Sequence, residues 1–207
     1  MPVPDPLRNA DPERVMLQTE QLRMHHVNLP YEVGGSMIAG LVLAAVQWGS
    51  VSHAAVFGWL ACLAIVHGAR IMNDLAEHRL PVGAREKWTL LRRVHFHSAV
   101  HGLTWGLAAL LLFPTNNFEH QVFLALVILG MAAGCLTITA FDVTAALLYN
   151  ILSMGSLVLR LFIEGGEMPL AMGMMGLVFL GVTSLIALRA YGNVRVSVAL
   201  RNAEAIK

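Results

Sequence analysis

The sequence predicts an all-α, polytopic membrane protein: a six-transmembrane-helix bundle with a cytoplasmic N-terminal helix and a C-terminal signalling helix. Three observations predict it. Of 207 residues, 57% are apolar and only 13% are charged, about half the ~25% charged residues of a soluble domain. Mean hydropathy is +0.64. Six apolar stretches in series reach or approach the roughly 20 residues that a helix needs to cross a bilayer core. This composition argues against a soluble enzyme and a disordered tail. A net charge of +1 leaves no basic patch for nucleic acid, and two cysteines inside apolar runs make no disulfide framework.

The stretches are 33–51, 54–75, 94–113, 120–140, 143–163 and 168–190, with short links at 52–53, 114–119, 141–142 and 164–167. One link, 76–93, is longer and charged. Residues 1–32 are polar and carry Pro2, Pro4, Pro6 and Pro12, which is unlike a cleavable leader. Within them, 12–29 reads as an interfacial helix stopped at Pro30. The chain thus divides into an N-terminal segment (1–32), a membrane domain (33–190) and the start of a coiled-coil signalling helix (191–207).

Basic residues orient the bundle. Arg8, Arg14 and Arg23 precede the first span. Arg70, Arg79, Arg85, Lys87, Arg92 and Arg93 flank or occupy the charged link, and Arg189, Arg195, Arg201 and Lys207 follow the last span. With six spans, these thirteen of the fourteen Lys and Arg fall on one side, which the positive-inside rule makes cytoplasmic. Both termini are then cytoplasmic. The exception, Arg160, has Glu164 one turn on as a local ion partner.

At the C-terminal end, Ala187, Tyr191, Val194, Val198, Arg201 and Ala205 repeat at alternating steps of four and three. This heptad rhythm predicts a helix that leaves the sixth span and pairs with a second copy. The bland alternative is a frayed amphipathic tail, and Arg201 at a seam position favours it.

The run Phe113-Pro114, then His120-Gln121-Val122-Phe123-Leu124-Ala125, then Gly130-Met131-Ala132-Ala133-Gly134, resembles the six-span input domains of proteobacterial signalling proteins. So do Leu17-Gln18-Thr19-Glu20-Gln21-Leu22 and the Leu29-Pro30 break. The resemblance implies a sensory or anchoring domain preceding a diguanylate cyclase, histidine kinase or adenylate cyclase. The chain itself carries no cyclase or kinase motif.

Nine histidines are candidates for a site. At 1.5 Å per residue, His67 lies roughly 12 Å from the inner end of the second span, and His97 and His101 lie roughly 5 and 10 Å into the third. His67 and His101 therefore match in depth. His97 and His101 share a helix face, whereas His95 points away, toward lipid headgroups. Intramembrane ionisable residues are costly and mark function by default. Three readings follow: histidines that only join helices through hydrogen bonds; a copper site of His67, His97 and His101 joined by Cys135 and Met131; or haem b held by His67 and His101. Gly68 and Gly102 beside the two ligands would leave room for a macrocycle. A second haem would pair His97 with His25 or His26; His53 and His120 are weaker outer candidates. The layout is similar to the haem-b anchors of some bacterial adenylate cyclases. The leading expectation is an input domain sensing redox state or quinone through haem b. The alternatives are a cofactor-free sensor of a hydrophobic ligand and a small electron-transfer cytochrome subunit. Asp142 reads as the cap of the fifth span. Gly102-x-x-x-Gly106 and Gly130-x-x-x-Gly134 read as packing faces.

Overall fold

The apolar runs become long helices that share one core. A computed structural model describes residues 12–78, 87–115 and 117–205, and among these the chain forms six helices and no strand. They are α1 (Pro12–Gln47), α2 (His53–His78), α3 (Lys87–Leu111), α4 (Phe118–Thr139), α5 (Val143–Glu164) and α6 (Glu167–Ala205). Five of them, all but α3, are long and apolar enough to cross a membrane. In α3, Arg92, Arg93 and three histidines dilute the apolar residues. Its second half is nevertheless core: Trp105, Ala108, Ala109 and Leu112 are fully buried beside Trp59, Leu63, Leu124 and Tyr149. Large apolar side chains also point outward, among them Ile38, Phe57, Ile65, Leu126, Ile163 and Met175. A water-exposed surface rarely carries so many, whereas lipid tails would cover them.

The break expected at Pro30 does not occur, and α1 runs through it for 36 residues. Proline removes one backbone donor, but helices packed among neighbours tolerate that loss. Here both sides of Pro30 are packed, with Leu29 and Ser36 buried. The segment read as interfacial is therefore the first part of α1, and its Leu22 packs with Leu90, Leu91 and Val94 of α3.

The turns from α3 to α4, α4 to α5 and α5 to α6 are short and carry caps. Asn117 caps α4 by accepting from the His120 N–H. Asp142 caps α5 by accepting from the N–H groups of Thr144 and Ala145. Gly165 and Gly166 turn α5 into α6 with φ of 72° and 81°, a left-handed region that favours glycine. Arg160 pairs with Glu164 at 2.9 Å, as its spacing predicts, and lies over the Phe113 ring.

Two glycines set the tightest helix contact. A Cβ on Gly102 would lie 2.7 Å from the Tyr149 carbonyl oxygen, and one on Gly106 would lie 2.6 Å from that of Leu152. The first glycine pair is therefore a seam between α3 and α5. Gly130 and Gly134 face nothing within 4 Å. Finally, α6 spans 39 residues, about 58 Å of helix against a hydrocarbon core of about 30 Å. It continues through the heptad region as a single helix.

Candidate functional site

The centre of the site is one imidazole with a defined set of partners. Trp105 stands one turn beyond His101 on α3 and donates its indole N–H to His101 Nε2 at 3.2 Å and to Ser36 Oγ at 3.0 Å. Indole is a donor only, so Nε2 is an acceptor and neutral His101 carries its proton on Nδ1. That nitrogen faces Glu32 Oε1 on α1 at 3.3 Å. The separation is an ion-pair distance, although the alignment falls short of a hydrogen bond.

His67 of α2 meets His101 edge-on, with ring centroids 4.7 Å apart and planes at 69°. Both rings are 2% exposed. Neither nitrogen of His67 has a hydrogen-bond partner. His97, one turn before His101, stacks toward it at 6.3 Å and buries an unpartnered Nε2. Tyr149 of α5 lies 5.0 Å from His101, ring to ring. Its hydroxyl, the Asn150 side-chain amide and Arg70 Nε are also buried without hydrogen-bond partners. Each such group costs about 1–3 kcal/mol if nothing satisfies it, which makes the surroundings of the three histidines the candidate site.

The depth matching of His67 and His101 is thus realised as direct contact, and that contact bears on haem. Two axial imidazoles stand on opposite faces of the macrocycle, whereas these rings touch edge to plane and leave no gap for it. The room expected beside Gly102 is filled by the α5 backbone. As placed, the pair does not fit one haem between them. The second pairing is not assembled either: His25 bonds Asp142 and His26 bonds Asp74. For copper, Cys135 Sγ lies 3.8 Å from Thr139 Oγ1. Together with Met131 it packs against the main core. Among the described residues, no three His, Cys, Asp or Glu side chains come together as a metal site.

His95 does not point to the headgroups. Its Nε2 lies 2.9 Å from Asp142 Oδ2, and His25 Nε2 lies 3.1 Å from the same oxygen. Asp142 thus caps α5 and also ties α1 and α3 to the α4–α5 turn. Gln21 and Asn28 add hydrogen bonds to the carbonyls of Phe141 and Ile138. Burial alone would raise the Asp142 carboxyl, but hydrogen bonds from His25 and His95 outweigh it and hold the group below the usual carboxylate range. A 360 Å³ cavity at this end is lined by Gln18, Gln21, His95, Asp142 and Tyr191, so α1, α3, α5 and α6 meet there. At the opposite end, His120 Nδ1 bonds Gln47 and Ser50, joining α4 to α1, and His53 stacks on Trp48.

Sequence reasoning missed Glu32, Ser36, Tyr149 and Asn150. One signal was present: Gln21, His25, Glu32 and Ser36 recur at helical spacing along α1, a polar stripe hidden by the expected stop at Pro30. Compared with protein-family models, curated proteins and solved structures, the chain matches none.

Proposed function

We propose that this chain is a sensory or regulatory input domain of a bacterial signalling protein, embedded in the inner membrane, that reads a lipid-phase ligand at His67 and drives a cytoplasmic effector through α6. The observation that carries the reading is His67, a fully buried imidazole with both nitrogens unpartnered and its ring against His101. A neutral imidazole offers one donor and one acceptor. A quinone carbonyl accepts and a quinol hydroxyl donates, so quinone is the ligand class assigned.

In this reading α3 crosses with the other five helices, with His95 and His101 turned toward its neighbours and Arg92 and Arg93 exposed near its cytoplasmic end. Both termini are then cytoplasmic by the positive-inside rule. Ligand at His67 displaces the His101 ring, whose Nε2 accepts from the Ser36 hydroxyl of α1 at 3.0 Å and whose Nδ1 faces Glu32. Movement of α1 against α3 reaches the Asp142 junction, where Tyr191 of α6 shares a cavity with both. The 39-residue α6 then passes the shift to the effector, in a homodimer paired through the sixth span and the heptad helix.

The test is the composition of the purified protein. Solvent extraction followed by oxidised and borohydride-reduced spectra should detect quinone in the wild type and the His53→Ala variant and none in His67→Phe. Equal quinone in all three overturns the assignment. A Soret band with a dithionite-induced alpha band would return the reading to haem b, and would require the His67 and His101 rings to part.

A further inference from the structure

We propose that the groove between α2 and α3 is a binding site for an anionic phospholipid. The proposal rests on the membrane reading of the helices and is independent of any ligand at His67. The groove encloses about 670 Å³. Its two walls are stripes at helical spacing: Val66, Ala69 and Asn73 on α2, and Thr89, Arg92, Arg93, Phe96 and Val100 on α3.

Chemistry is graded along it. Arg92 and Arg93 stand at one end, together with Asn73 and Thr89, and no carboxylate lines the groove among the described residues. Both arginines are exposed. Guanidinium presents a planar fork that matches phosphate oxygens. Further along, the walls are Ile65, Val66, Phe96 and Val100, suited to acyl chains. His97 lies among these apolar residues, four residues or about 6 Å of helix beyond Arg93. A glycerophospholipid has the same order: a phosphate, then hydrocarbon. Its phosphate would rest on Arg92 and Arg93, and its acyl chains would follow the apolar walls. Basic pockets between membrane helices commonly hold such head groups. A zwitterionic lipid brings a cation beside the two arginines and is disfavoured.

The test is lipid competition on the detergent-purified full chain, read by native mass spectrometry. Phosphatidylglycerol and phosphatidylcholine with identical acyl chains are supplied in equal amounts. The wild type should retain phosphatidylglycerol at least fivefold over phosphatidylcholine, and R92Q/R93Q should bring the ratio near one. R92K/R93K should keep most of the preference. R23Q, which removes an exposed charge beside Glu20, should keep all of it. Equal retention by the wild type, or an unchanged ratio in R92Q/R93Q, overturns the proposal. Loss of preference in R23Q overturns it as well, because the effect would then be general surface charge. Displacement of phosphatidylglycerol by millimolar inorganic phosphate alone would assign the site to free phosphate instead.

Discussion

The Trp105 indole N–H points at His101 Nε2 from 3.2 Å, and this leaves the proton of the neutral ring on Nδ1, the nitrogen that faces Glu32. The tautomer is set within α3, and the charge it meets comes from α1. Removing that charge takes from the buried Nδ1–H the acceptor it faces, which without full alignment offsets only part of a penalty of about 1–3 kcal/mol. Glu32→Ala should therefore lower thermal stability in detergent by less than the full penalty. Trp105→Phe should cost about 0.5–1.5 kcal/mol for the lost hydrogen bond. Both act through one ring, so the double variant should depart from additivity by more than about 0.5 kcal/mol. Strict additivity would mean that Glu32 and Trp105 do not share His101.

The glycine pairs give a second expectation. Gly102→Ala drives a Cβ into the α5 backbone, where nothing flexible can yield, and overpacking of this kind costs about 1–3 kcal/mol. Gly134→Ala meets open space and should be neutral or slightly stabilising, since alanine is the better helix former. Melting curves of the two variants, measured side by side, check the contrast.

The Asp142 junction predicts a pH dependence. Its carboxyl is held below the usual range, so it binds protons less readily folded than unfolded. Its stabilisation is fully present above the unfolded value of about 3.9 and is lost as pH falls through the folded value. Thermal stability should drop on acidification below about pH 4. Asp142→Asn, which leaves His25 and His95 without the carboxylate, should be less stable at neutral pH and flatter across the acid range. An identical pH profile in the variant would remove Asp142 as the cause.

Element type was legible because it depends on long apolar runs: every helix was anticipated, and the Asp142 cap followed from its position before Val143. Pro30 misled, because its local penalty was overridden by the packing of Leu29 and Ser36. The site was half legible. Depth arithmetic brings His67 beside His101, since both lie on sequential antiparallel helices. It cannot give ring orientation, and orientation is what sets haem against a hydrogen-bonding ligand. His95 was misplaced for a related reason: angular spacing from His97 is set within α3, whereas the carboxylate that captures it comes from a distant turn.

The heptad of α6 gives the last expectation. Ala187 is buried with Leu136 and Ala146, and Tyr191 lines the Asp142 cavity, so the start of the stripe faces the chain's own bundle and pairing with a second copy is left to its continuation from Val194. If two copies pair along the four–three stripe, Val194 approaches its twin and Ser197 points away. Cysteine at Val194 should therefore cross-link in membranes at low oxidant, and cysteine at Ser197 should cross-link far less. Native Cys62 and Cys135 are half-buried and are replaced by alanine in both variants to keep the readout clean. Equal cross-linking at the two positions would indicate collision without a seam. Its absence at both would leave α6 to reach its effector as a single helix.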